Sequence, residues 1–155
     1  MKRVFALLIM ICTAFALYGC QPGTDMPYNG DVSFHAVTVS VPEDFIRDST
    51  RSNSDLWCFE KGFYDQIIIL SRDDMDGDVS ASLDSYLAYM IEQGCESNRT
   101  TFMQLDAVHS TYTQNDQYCQ EMLFAYHGSL YAIALRGGTE EDFQSLLDSV
   151  ILAVA

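Results

Sequence analysis

Tyr118-Cys119-Gln120-Glu121-Met122-Leu123-Phe124-Ala125-Tyr126-His127-Gly128-Ser129-Leu130-Tyr131-Ala132-Ile133-Ala134-Leu135-Arg136 decides the architecture of this chain. Two long runs, residues 118–126 and 130–136, meet at His127-Gly128-Ser129, and a glycine in so short a connection joins antiparallel strands. Upstream, Gln66-Ile67-Ile68-Ile69-Leu70-Ser71 is an unbroken apolar run, which predicts a central strand covered on both faces. From His35 to Val41 the residues alternate, with Val37, Val39 and Val41 on one side, until Pro42 stops the ladder; this is a half-buried strand. Leu56-Trp57-Cys58-Phe59 adds a short strand, with a turn over residues 60–65 leading into the central run. Residues 101–105 and 107–113 read as strand with a break near Asp106.

Two amphipathic stretches complete the pattern. Leu83, Tyr86, Leu87, Met90 and Ile91 recur at helical spacing, with Ser82 as the N-cap and Gly94 as the stop. Phe143, Leu146, Leu147, Val150 and Ile151 repeat that spacing behind Thr139 and Asp142, a capping-box-like start. Each stripe needs a sheet to cover. The order is βββαβββα, and the expected fold class is α+β: a mostly antiparallel six-stranded sheet with two covering helices.

The amino terminus carries a different signal. Met1-Lys2-Arg3 precedes an apolar stretch from Val4 to Leu17 and then Tyr18-Gly19-Cys20. As a helix, Val4 to Leu17 would span about 21 Å against roughly 30 Å of hydrocarbon, too short to cross. The segment resembles a bacterial lipoprotein signal, with Leu17, Gly19 and Cys20 at the lipobox positions and Tyr18 where a small residue is usual. That resemblance implies removal of residues 1–19 and acylation of Cys20, with stable anchoring if two or more chains are attached. Ala14-Phe15-Ala16 offers a rival cut, which would make the protein secreted instead. Residues 20–31 read as the lipidated cysteine and a turn-rich tether, and residues 32–155 as a single domain.

The whole chain has a formal net charge of −14, with 8 Lys and Arg against 22 Asp and Glu. Loss of Lys2 and Arg3 with the signal makes the mature protein more acidic still. Such a surface is repelled by phosphate backbones and anionic headgroups, which argues against nucleic acid and leaves solubility or a basic partner as readings. Three cysteines follow Cys20: Cys58, Cys95 and Cys119. Their odd number permits one bridge in three pairings, or three buried thiols acting as small apolar residues.

Three stretches carry a further resemblance. Val39-Ser40-Val41-Pro42-Glu43-Asp44-Phe45 closes a strand, Ser82-Leu83-Asp84-Ser85-Tyr86-Leu87 opens a helix, and Phe124-Ala125-Tyr126-His127-Gly128-Ser129-Leu130-Tyr131-Ala132-Ile133 leads towards Thr139-Glu140-Glu141-Asp142-Phe143. Together they resemble the PsbP-like fold, over roughly residues 32 to 152. The resemblance implies an α+β sandwich of the kind found in the extrinsic PsbP protein of photosystem II, the Ran-binding Mog proteins and many small bacterial lipoproteins. Members of that group are mostly docking or accessory proteins.

Chemistry-bearing motifs are few. Asp74, Asp76 and Asp78 alternate beside Gly77 and are the residues that would hold Ca²⁺, but counting from Asp74 puts Val79 at the sixth position and Ser85 at the twelfth, where a calcium loop needs Gly and Glu. A solvated acidic loop before the helix is the better reading, and no cofactor is expected. Arg136-Gly137-Gly138-Thr139 reads as a turn and cap, because Glu140, Glu141 and Asp142 would repel an anion. His35, His109 and His127 have no ligand spacing, and no nucleophile elbow occurs. Tyr112, Tyr118, Tyr126 and Tyr131 read as packing between sheet and helix, with stacking on a peptide or sugar as the alternative. The sequence therefore points to a lipid-anchored binding or accessory module of the cell envelope, bound to the membrane through Cys20 and to an envelope protein partner, more in keeping with a non-enzyme than an enzyme. An envelope enzyme with a distributed site and an extracytoplasmic ligand sensor are the alternatives. Intact-mass analysis of the mature amino terminus is expected to find acyl chains on Cys20; an unmodified start at Leu17 would remove that expectation.

Overall fold

The computed structural model describes residues 30–62, 65–72 and 78–153, so Cys20, Asp74 and Asp76 lie outside the described residues. The elements run β1 (Gly30–Phe34), β2 (Val37–Val41), β3 (Ile46–Arg47), β4 (Leu56–Lys61), β5 (Asp65–Arg72), α1 (Val79–Glu92), β6 (Glu96–Phe102), β7 (Leu105–Gln114), β8 (Gln117–Tyr126), β9 (Ser129–Arg136), α2 (Glu140–Asp148) and β10 (Ile151–Leu152). Where one six-stranded sheet was expected, the described residues form ten strands in two sheets. Seven strands are ordered β3-β4-β5-β9-β8-β7-β6 and three are ordered β1-β2-β10. Every pairing between them is antiparallel.

The central position of β5 matches its sequence. It pairs with β4 on one side and β9 on the other. Ile67 and Ile69 enter one apolar cluster, Ile68 and Leu70 the other. On the second face lies α1, which buries Leu83, Tyr86 and Met90 but leaves Ile91 exposed. On the first face, α2 packs Phe143, Leu146 and Leu147 beside the valines of β1 and β2. A third layer is needed there for a simple reason of size. Seven strands span about 29 Å at their usual spacing. The nine residues of α2 reach only about 14 Å, so the three-stranded sheet extends the cover beside it, and part of β6 to β8 stays open.

Several expected boundaries move. The half-buried strand was expected to begin at His35, but His35 turns the chain with φ at 53° and its Nε2 lies 2.8 Å from the Ser54 carbonyl. Gly30 and Asp31, read as the end of the tether, belong to β1 and pair with Val41 and Ser40. The break expected near Asp106 falls instead at Met103-Gln104, where both residues have positive φ. Asn115-Asp116 and His127-Gly128 do the same. Turns of this kind carry a twist that matches the flanking strands, which is why three of them string β6 to β9 into a continuous meander.

Helix α1 starts one turn before its expected cap. Asp78 is the N-cap, its Oδ1 accepting from the Ala81 amide at 3.1 Å, while Ser82 lies inside the helix and donates to the Asp78 carbonyl. Gly94 ends the helix in the left-handed region, as its position predicts. At α2 the expected capping box is present in full between Thr139 and Asp142.

One carboxyl group is sealed beneath α1. Glu121 is fully buried on β8 and accepts a 2.6 Å hydrogen bond from the Tyr86 hydroxyl. Burial pushes its pKa up to about 7, against the pull of that hydrogen bond. An acid raised on folding adds stability that is complete below its unfolded pKa and fades as pH climbs through the folded one. Between about pH 4.5 and 7 the chain should lose on the order of 3 kcal/mol from this group. Urea midpoints measured at pH 5 and pH 8 are therefore expected to differ less in Glu121→Gln than in the parent; an unchanged difference would show that Glu121 is not the source.

Candidate functional site

A cleft of about 440 Å³ opens where the two sheets and α2 meet. Pro42 has no amide hydrogen to continue β2, so the chain turns, and the Phe45 amide donates to the Pro42 carbonyl at 3.1 Å. This turn presents Asp44 at the rim and sinks Phe45 into the core. Across the cleft, Lys61 and Asp65 close the β4–β5 hairpin as register partners. Helix α2 supplies Asp142, Ser145 and Leu146. Ile67 and Leu135 line the cleft as apolar neighbours from β5 and β9.

Its electrostatics centre on one ammonium. Lys61 Nζ forms an ion pair with Asp44 and stands 5.8 Å from the centroid of the Phe45 ring. The Asp44 hydrogen bond raises the Lys61 pKa most, desolvation by the surrounding protein opposes it, and the charges of Asp44, Asp65 and Asp142 raise it further. Asp142 is held below the ordinary carboxylate range, first by its bonds to the Thr139 side chain and backbone and then by Lys61. Those bonds run from Thr139 N at 2.8 Å and Thr139 Oγ1 at 2.7 Å to Asp142 Oδ2. Three carboxylates thus face one cation above an apolar floor.

Tight backbone approaches shape the far wall. Gly137 has φ of +84°, and a Cβ there would lie 2.3 Å from Asp65 Oδ1. A Cβ on Gly138 would lie 2.4 Å from Leu135 Cδ2. Residues 136–139 therefore serve as a turn and cap that bring β9, Asp65 and α2 together. At the other end of α2, the Ser40 amide donates to Ser149 Oγ at 3.1 Å, tying the helix to β2.

A second, more open groove of about 470 Å³ lies along the far half of the seven-stranded sheet, lined by Asn98, His109, Tyr118, Gln120 and Glu140 among others. His109 stacks on Phe143 with ring centroids 5.9 Å apart. Burial lowers its pKa, and Glu140 partly offsets that. Tyr118 is the exposed member of the tyrosine group, at 44%, whereas Tyr131 is buried in the core.

The other singled-out residues are dispersed. His35 sits in the β1–β2 turn and His127 at the β8–β9 tip, stacked on Tyr126 at 3.9 Å. Asp78 caps α1, which is a structural use of the one member of the Asp74, Asp76 and Asp78 set that is described. No group of three or more potential metal ligands occurs among the described residues. Cys58 and Cys119 are buried free thiols. Burial pushes the Cys58 thiol up to about 12 and the Cys119 thiol up to about 11, so neither supplies a thiolate at neutral pH.

No family model matches the chain, and no curated relative does. Solved structures do. The cyanobacterial PsbP protein (CyanoP) of Synechocystis sp. aligns over 88% of this chain and 99% of its own, with 11% identity and a TM-score of 0.60. A protein from Bacteroides thetaiotaomicron aligns over 82% of this chain with 8% identity and a TM-score of 0.53, and this chain spans about half of its length, 50%. LpqN of Mycobacterium tuberculosis, involved in cell envelope biogenesis, aligns over 86% of this chain with 13% identity and a TM-score of 0.41, too loose a match to bear on function. The fold is thus an α+β sandwich of the PsbP-like kind. At these identities the likeness speaks for fold alone.

Loss of the capping box would loosen the cleft's helical wall. Thr139→Ala is expected to cost about 1 kcal/mol in chemical denaturation. The Asp142 carboxyl, titrated by NMR, should then move up towards the ordinary range.

Proposed function

We propose that this chain is a lipid-anchored, non-catalytic binding module of the cell envelope, and that the cleft beside α2 is where it holds a partner protein. The observation that carries the reading is the cleft itself: an open depression with apolar lining and an ionic rim, formed by four separate segments of the chain. Depressions that combine apolar area with a few fixed polar groups are the usual form of a recognition site.

Its location adds to the argument. Gly30 pairs with Val41, and Val41 lines the cleft. The described chain therefore begins at the cleft's edge, and the nine residues 21–29 between Cys20 and Gly30 allow a separation of at most about 35 Å at full extension. A cleft so placed would work close to the membrane face. Among the described residues no helix is long and apolar enough to cross a membrane, so anchorage in this reading falls to the acyl chains of Cys20.

A photocrosslinking amino acid at exposed Ser145, in the full-length protein expressed in cells that process its signal, tests the proposal. Irradiation is expected to give a discrete adduct with an envelope protein, and the same group at exposed Glu92 on α1 is expected to give none. Adducts from Glu92 alone would place the partner elsewhere and sink the assignment of the cleft.

A further inference from the structure

We infer that the cleft beside α2 receives a lysine or arginine side chain carried on an extended segment of the partner protein. This rests on the preceding proposal that the cleft is the binding site, and it adds the chemistry of the occupant.

Charge and shape argue together. Asp44, Asp65 and Asp142 all act on the Lys61 ammonium, leaving the cleft with two more negative charges than positive ones. Asp142 is locked in place by Thr139, so its charge is pre-organised rather than gathered on binding. Lys61 itself shows how a cationic head fits: its ammonium meets Asp44 at the rim and lies over the Phe45 ring. Beyond that ring, Ile67, Leu135 and Leu146 offer apolar surface to an aliphatic stem. Lysine and arginine are the side chains that join a long apolar stem to a charged head. The cleft's volume falls in the range of small-ligand sites, roughly 300–1,000 Å³.

The opposite charge is disfavoured throughout. Phosphate, an anionic headgroup or an acidic peptide would meet three carboxylates at the rim and a chain of formal net charge −14. Among the described residues Lys61 is the only basic one lining the cleft, and it is already engaged by Asp44. A basic segment would share those carboxylates with Lys61 or displace it, so Lys61 acts as a built-in competitor.

That competition makes the test specific. The full chain, purified in detergent from membranes of cells that process it, is titrated into fluorescent nonapeptides bearing one central Arg, Lys, Gln or Glu between leucines. Arg and Lys peptides should bind, and Gln and Glu peptides should not. Lys61→Met is expected to tighten binding about fivefold, and Asp65→Asn to weaken it about fivefold, the scale of one partly exposed ion pair. Glu92→Gln, which makes the same charge change as Asp65→Asn but on α1, should shift binding less than twofold. A gain in Lys61→Met confined to the Arg and Lys peptides separates the cleft from misfolding, because an exposed core would bind the Gln peptide equally. Equal losses in Asp65→Asn and Glu92→Gln would reduce the effect to diffuse charge and overturn the inference. So would a Gln peptide that binds as well as Arg. If the Ser145 adduct forms in cells and is unaltered by Asp65→Asn and Lys61→Met, the cleft stands as the binding site and its cationic occupant falls.

Discussion

The pairing of β5 with β9 is the constraint on which the rest of this molecule depends. Ile67 to Leu70 lie opposite Leu135 to Ala132 in the middle of the seven-stranded sheet, and both strands are buried on both faces. A sheet that is apolar on both sides must be covered on both sides, or it exposes a surface that associates with anything similar. Helix α1, 14 residues and about 21 Å long, covers most of one face. Helix α2, at about 14 Å, covers less of the other, and the three-stranded sheet lies beside it.

The cleft follows from that division of labour. Two covering units on one face leave a seam between them, and the seam lies over the first residues of β5 and the last of β9. Residues at the ends of strands are free of the alternation that governs their middles. Lys61, Asp65 and Gly137 can therefore be polar or small without breaking the core. The same logic separates the two kinds of carboxyl in this protein. Glu121, in mid-strand under α1, is kept largely from water and has its pKa raised to about 7. Asp142, in the first turn of α2, is fixed by hydrogen bonds and remains ionised. Only the second kind stands exposed at the cleft.

Some of this was legible in the residues. The central strand at Gln66-Ile67-Ile68-Ile69-Leu70-Ser71, the hairpin at His127-Gly128 and the capping box of Thr139 and Asp142 are local patterns, decided by neighbours close in sequence, and each appears in the structure. The turn at Met103-Gln104 was not legible, because neither residue favours the left-handed region and only the pairing of β6 with β7 holds them there. The short strands β3 and β10 were missed because two residues have no periodicity to read. Ser82 looked like a cap, but Asp78 outcompeted it once the helix gained a turn. Of the cleft's charged residues, Asp142 had been read as a cap, Asp44 as part of a stretch closing a strand, and Lys61 and Asp65 only as part of the turn over residues 60–65.

By itself the sequence determined the α+β class, the greater part of each helix's apolar stripe, the acidic composition and the expectation of an anchor at Cys20, because each is a property of composition or of near neighbours along the chain; Ile91, expected in the first stripe, is exposed, and Ile151, expected in the second, falls in β10. Only the tertiary structure decided that the strands divide into two sheets and that Asp44, Lys61, Asp65 and Asp142 meet around one depression. The physical reason is distance along the chain. Those four residues come from the β2–β3 loop, the β4–β5 hairpin and α2, and nothing local ties them together. They are neighbours because β5 and β9, buried on both faces, carry two covers on one side, and covers that meet leave a seam.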